Sequence, residues 1–134
     1  MRNKKNHLGQ SLVEFALVLP LLLMLVLGAL DFGRLFYTKI ILTNAAREGA
    51  YYLVSHADNA NVLTDATDAV EAEAQNAGVC CIAVDFDPDS GWQPNKSVEV
   101  TVTATVPGLL VLGLFEGIAQ INTLSSTAEM MVWQ

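Results

Sequence analysis

A glycine and a glutamate near the start of the chain have types and a spacing that suggest chemistry. Gly9 is followed by the residues QSLVEF, so that Gln10, Glu14 and Phe15 open a long apolar run. A peptidase at a membrane face needs a small residue at its scissile bond, and a cut after Gly9 would leave an apolar helix that begins with a free amine. The carboxylate of Glu14 could then pair with the amine of a neighbouring chain. The alternative is that Glu14 reaches the lipid headgroups unpaired, since an unpaired charge costs about 2.5–3.5 kcal/mol at the centre of a membrane span and less near its edge.

The apolar run is long enough to cross a membrane. Leu12–Leu30 has nineteen residues, about 28 Å of helix at about 1.5 Å per residue, and a bilayer core is about 30 Å thick. Three of the first five residues, Arg2, Lys4 and Lys5, are basic, which favours a cytoplasmic N-terminus. We predict a basic leader over residues 1–9, a transmembrane helix over residues 10–31 and an extracytoplasmic domain over residues 32–134, in a single-pass protein of the cell membrane.

A secretory signal peptide is another explanation for a basic start and an apolar run. Cleavage after Ala29 would place Leu27 at the third position before the cut, where a small residue is expected. No cysteine follows the run directly, which argues against a lipoprotein. We therefore expect the apolar segment to remain in the mature protein.

The part of the chain beyond the apolar run is acidic and has no recognisable catalytic motif. From Glu48 to the C-terminus there are twelve acidic residues and one basic residue, Lys96. Such a surface repels nucleic acid, and it could bind cations or a basic partner weakly. His7 and His56 are far apart in the sequence, and there is no phosphate loop or nucleophile elbow. We predict no enzyme activity, no cofactor and no nucleic-acid partner.

Three aspartates, Asp85, Asp87 and Asp89, invite comparison with a calcium loop. Ser90 stands at the sixth position and Lys96 at the twelfth, where that loop needs glycine and glutamate. We predict a solvated hairpin loop and no metal site, with a weak cation site as the alternative.

The only two cysteines, Cys80 and Cys81, are adjacent. Neighbouring side chains in a strand point to opposite faces, so a bond between them would strain the backbone. We predict no disulfide within one chain, with one thiol in the core and the other near the surface. A disulfide between chains and a strained vicinal disulfide are the alternatives, and the spacing does not fit a zinc site.

The rest of the sequence predicts an α+β domain. One helix is expected from about Leu12 to Val54 or His56, kinked at Pro20, with Asp31 and Arg34 where it emerges into water. A second helix is expected over Val62–Ala77 and ended by Gly78 in a left-handed conformation. The apolar face of the first helix is predicted at Phe32, Leu35, Phe36, Ile40, Thr43, Arg47, Ala50 and Val54, with Tyr37, Tyr51 and Tyr52 adding bulk to the core, and the buried side of the second at Val62, Ala66, Ala69, Val70 and Ala77.

Three alternating segments predict an antiparallel sheet. They are Val79–Phe86, Ser97–Val106 and Asn122–Trp133. The apolar segment Leu109–Phe115 is too short to span a membrane, and we expect it to pack under the sheet or to rest near the bilayer surface.

Two runs at the N-terminus, Gly9–Leu23 and Asp31–Ala50, resemble the TadE-like family, the minor pilins or pseudopilins of the tight adherence (Flp) pilus machinery. The bond after Gly9, with Glu14 as the fifth residue beyond it, resembles a type IV prepilin peptidase site. The resemblance implies cleavage by that peptidase and contact with other pilins or pilus assembly proteins through the N-terminal helix. Many relatives have arginine or lysine before the glycine, whereas this chain has Leu8. Beyond Val79 the resemblance is loose.

Two functions are therefore open from the sequence. One is a structural subunit of a pilus or of a related secretion machinery, cleaved after Gly9. The other is an uncleaved binding module, anchored in the membrane, that presents its acidic domain to a partner or a cation. The mass of the mature N-terminus separates them.

Overall fold

The computed structural model describes residues 8–87, 96–106 and 123–132. These residues form two helices and three strands: α1 (Leu8–Ser55), α2 (Val62–Asn76), β1 (Ile82–Asp87), β2 (Ser97–Thr105) and β3 (Thr123–Met131). The predicted α+β class is confirmed. Most of the leader, Asp89 and the segment Leu109–Phe115 lie outside the described residues.

The first helix is continuous, as predicted, and its two halves differ in burial. It has 48 residues, about 72 Å at about 1.5 Å per residue. Pro20 lies within it and cannot donate a backbone hydrogen bond to Ala16, so the kink that this loss favours stays a prediction. The N-terminal half is exposed, whereas the C-terminal half packs against α2, β2 and β3.

The face of α1 that packs in the core is only partly the predicted one. Ala50 is fully buried, and Tyr52 and Val54 are partly buried against the core, as predicted. Phe32, Phe36 and Ile40 are 65%, 62% and 51% exposed, and Tyr37 and Tyr51 are also exposed. The buried residues of α1 in this half are Thr38, Ile41, Leu42, Ala45, Ala46, Gly49, Ala50 and Leu53, four of which are alanine or glycine. Small side chains allow α2 and the sheet to approach α1 closely. The side of α1 that has these small residues is therefore buried, and the side that has the bulky aromatic residues is exposed.

Asp31 was predicted to mark emergence into water, and this is wrong. Its side chain is fully buried. Asp31 lies seven residues before the buried Thr38, which places both residues on the same side of α1. Arg34 is exposed. Neither residue lacks an interaction partner. The packed side of the helix therefore begins immediately after the apolar run.

The second helix packs along one narrow stripe. Val62, Ala66, Val70 and Ala74 are buried at intervals of four residues. The prediction missed Ala74 and wrongly included Ala69 and Ala77, which are only half-buried. Gly78 ends the helix with φ 80°, as predicted. Its N–H donates to the Gln75 carbonyl and the N–H of Val79 donates to the Ala74 carbonyl, both at 2.9 Å, which is a Schellman motif.

The sheet has the order β1-β2-β3 and both pairs are antiparallel. The central strand buries Val98, Val100, Val102 and Ala104 against the helices, where transfer from water stabilises the fold by about 1.5–3 kcal/mol for each fully buried valine. On the outer face, Glu99 pairs in register with Asp87 on one side and Glu129 on the other. Asp85 and Asp87 also lie on this exposed face.

The two cysteines differ from the prediction in position and geometry. Both are exposed, and both precede β1. Cys81 has φ 60°, a left-handed conformation that is uncommon for a residue with a side chain. Because of this turn, the two side chains do not point to opposite faces as they would in a strand, and the Sγ atoms lie 3.4 Å apart. Both thiols are free in this structure.

Candidate processing and assembly site

The four predicted site residues lie within the first eight residues of α1. Gly9, Gln10, Glu14 and Phe15 are all exposed, and a Cβ atom at Gly9 would meet nothing within 4 Å. The first backbone N–H groups of a helix have no intrahelical acceptor, and glycine weakens a helix by about 0.8–1.0 kcal/mol relative to alanine. The turn that contains the bond between Gly9 and Gln10 is therefore easy to open and is not covered by other parts of the described chain.

Glu14 is an isolated charge on an apolar helix surface. One turn further along the helix, Leu17 and Val18 are 68% and 55% exposed, and they share its side of the helix. Among the described residues, Glu14 has no hydrogen-bond or ion-pair partner. In hydrocarbon this carboxylate needs a cationic or hydrogen-bonding partner from another molecule.

A cut after Gly9 would create an amine one turn before Glu14. The Cα–Cβ bonds of a helix tilt toward its N-terminus, so the Glu14 side chain is directed toward the level of Gln10. The new amine and the carboxylate would lie on the same side at nearly the same depth. Two neighbouring helices in parallel register could then pair the amine of one with the carboxylate of the other.

The helix that follows has the properties of a membrane span. Its most apolar window has a mean hydropathy of 2.5, and none of that window is buried in the fold. Every large apolar side chain from Leu12 to Val26 is exposed, as is Leu30. This helix is compatible with a single-pass membrane anchor.

The exposed apolar surface continues beyond the predicted span. Phe32, Phe36 and Ile40 follow one another at intervals of four residues along one side of α1, and the rings of Phe32 and Phe36 are 6.1 Å apart between centroids. This stripe extends the apolar surface about 15 Å past Leu30. These residues were predicted to face the core, and their exposure contradicts that prediction.

Three further features of the described residues concern potential metal ligands, a ring contact and a cleft. No group of three or more potential metal ligands is present there. His56 stacks on Tyr52 with a centroid distance of 4.3 Å, at the end of α1. A cleft of about 240 Å³ lies between α1 and the connection from α2 to β1, and it is lined by Arg34, Tyr37, Thr38, Gly78, Val79, Cys80, Thr105 and Val106.

One comparison with known proteins found a match that covers most of α1. A family model described as TadE-like protein matches residues 9–50, about a third of the chain and most of α1. The predicted resemblance is confirmed over this segment, and it indicates involvement in a tight adherence pilus system and association with pilus assembly components. No curated protein and no solved structure matches the chain.

Proposed function

We propose that the protein is a minor pilin or pseudopilin-like structural subunit, used in the assembly of a tight adherence (Flp-type) pilus or of a related secretion machinery. The observation that carries the proposal is the N-terminal half of α1, which exposes its apolar side chains in the same segment that matches the family model. Such a surface needs lipid around it, or other helices. In a subunit that moves from the membrane into an assembly, this surface contacts lipid first and the helices of other subunits afterwards.

Processing is the first step of the proposed function. A prepilin peptidase at the cytoplasmic face cuts after Gly9, where the open first turn of α1 gives access to the bond. The basic leader is removed and Gln10 becomes the N-terminal residue. The helix remains in the membrane because the apolar run is untouched.

Assembly is the second step. The N-terminal half of α1 leaves lipid contacts and packs against the helices of other pilins. The Glu14 carboxylate accepts hydrogen bonds from the amine of a neighbouring subunit, which fixes the helices in register, since both groups would be costly unpaired in hydrocarbon. The small domain built from α2 and the sheet remains on the outer side of the membrane. This role is structural and involves no catalysis by the protein itself.

The test is the N-terminal mass of the protein extracted from membranes that contain the prepilin peptidase. The expected mature chain begins at Gln10. Gly9→Leu should keep the leader and still insert, because a side chain at Gly9 meets nothing in the fold and topology depends on the basic residues and the apolar run.

Gly33→Leu is the matched control, since Gly33 is also helical and also has open space around its Cα atom. It should be cleaved as efficiently as the parent. An intact leader on the parent protein in the presence of an active peptidase would reject the pilin proposal and favour the uncleaved, anchored binding module.

A further inference from the structure

The connection from α2 to β1 brings two thiols together by an unusual backbone conformation. After Gly78 ends α2, only Val79 and the two cysteines precede Ile82, the first residue of β1. Cys81 has φ 60°, a left-handed conformation that is strained for a residue with a Cβ atom. Its Sγ donates a weak hydrogen bond to the Sγ of Cys80 at 3.4 Å. A glycine would avoid this strain, whereas here the position carries a thiol.

The pair is also accessible from solution on two sides. Both cysteines are exposed. Cys80 lines the cleft of about 240 Å³ beside Arg34 and Tyr37, and both thiols line a second cleft of about 180 Å³ beside Glu71 and Gln75. A thiol-reactive molecule can therefore reach the sulfur atoms without opening the core.

We propose that Cys80 and Cys81 form a thiol–disulfide exchange site that closes to an intramolecular disulfide when it reacts with a disulfide-bearing oxidant. This inference is independent of the pilus assignment, since it rests only on the geometry of the two thiols. The site that results is a redox couple placed where α2 meets the sheet.

The reaction proceeds in two exchanges. The Cys80 thiolate attacks one sulfur of the oxidant, forms a mixed disulfide and releases the first thiolate of the oxidant, which takes up a proton. Cys81 then loses its proton and attacks the Cys80 sulfur, displacing the second thiolate, which is also protonated. In total the two cysteines lose two electrons and two protons, and the oxidant disulfide is reduced to two thiols.

The order in which the two cysteines react follows from the contact between their thiols. The hydrogen bond with Cys80, together with the charge that Cys80 can carry, raises the pKa of the Cys81 thiol. Cys81 therefore keeps its proton at first and acts as the resolving thiol, adjacent to the mixed disulfide formed on Cys80.

The test uses the full-length protein in detergent with oxidised glutathione, followed by intact mass measurement. The parent should lose two hydrogen atoms in mass and retain almost no glutathione. Cys80→Ser and Cys81→Gly should each retain one glutathionyl group, with the adduct about tenfold or more abundant than in the parent, because a single cysteine cannot resolve its mixed disulfide. Glycine at position 81 adopts a positive φ without strain, so this variant keeps the fold.

Two results would overturn the inference. One is a parent protein that keeps glutathione to the same extent as the single-cysteine variants, which would show that the second thiol does not reach the first. The other is a covalent dimer as the main product, which would show that exchange occurs between chains.

Discussion

Glu14 carries a charge that no contact among the described residues compensates. The carboxylate lies on an exposed apolar surface and has no partner among the described residues. Replacing it with leucine removes a desolvation cost, so membrane insertion should hold or improve. Assembly should fail, because the proposed pairing with the amine of a neighbour is lost. We therefore expect Glu14→Leu to give a processed, stable and unassembled protein, measured by crosslinking to partner pilins in the membrane.

A control separates this effect from a general loss of charge on α1. Glu48 is also an exposed glutamate of α1, but it lies in the half of the helix that packs on the folded domain. Glu48→Leu should assemble like the parent. If Glu14→Leu joined its complex as efficiently as the parent, with the leader removed, the carboxylate would have no role in assembly.

Gly49 is a residue whose size is set by its neighbours in the core. A Cβ atom there would lie 2.5 Å from Cγ2 of Val70 and 3.3 Å from Cγ1 of Val100. Both valines are fully buried and have no room to withdraw. Overpacking of this kind costs about 1–3 kcal/mol, which exceeds the gain of at most about 1 kcal/mol in helix propensity. We expect Gly49→Ala to lower the midpoint of urea unfolding in detergent.

Gly33 again provides the comparison, since an added Cβ atom meets nothing within 4 Å. Gly33→Ala should unfold at the same urea concentration as the parent or at a higher one. Equal stability of the two alanine variants would mean that α1 and α2 are not in close contact at Gly49.

At the scale of elements, the sheet places three acids side by side on its outer face. Glu99 lies between Asp87 and Glu129 in register, and all three are exposed. Like charges on directly opposite residues destabilise a sheet by about 0.2–1 kcal/mol. Glu99→Gln should raise the free energy of unfolding by that amount in low salt, and the gain should shrink as salt screens the charges.

Glu73→Gln removes the same charge from an exposed position on α2. It controls for the change in net charge and should leave the free energy of unfolding nearly unchanged. A gain of equal size in both variants would assign the effect to the overall acidity of the domain and not to the pairing across the strands.

The elements also show what sequence could and could not predict. The type and order of the helices and strands were predicted because apolar periodicity and Gly78 are local signals. The packed face of α1 was not fully predicted. Ala45, Ala46 and Gly49 are buried because they are small enough for close contact, whereas Phe36 is exposed. This difference in burial depends on which surfaces α2 and the sheet present, and no local pattern contains this information.

The candidate functional residues were also only partly predictable from the sequence. Gly9 and Glu14 could be recognised from sequence because their spacing lies within a few consecutive residues. The thiol pair could not, because its geometry depends on one backbone angle at Cys81. An extended conformation at that residue, which is the default for a strand, separates the two side chains.

At the scale of the whole molecule, charge and apolar surface together predict one orientation in the membrane. The first five residues contain three of the seven basic residues, whereas twelve of the fourteen acidic residues follow Arg47. Basic residues next to a span tend to remain in the cytoplasm. The domain beyond Leu30 should therefore lie on the outer side, with Cys80 and Cys81 exposed there.

These two cysteines allow the orientation to be measured in intact cells. After mild reduction to open any disulfide, a membrane-impermeant maleimide should label the parent protein without permeabilisation, because both thiols are exposed and the chain has no other cysteine. In a variant with both cysteines replaced by serine and Asn3→Cys added, the expected labelling is reversed: the leader thiol should react only after the cells are permeabilised, provided the peptidase is absent so that the leader stays attached. Labelling of the parent only after permeabilisation would place the folded domain in the cytoplasm, where it could not follow the exposed helix into an external pilus.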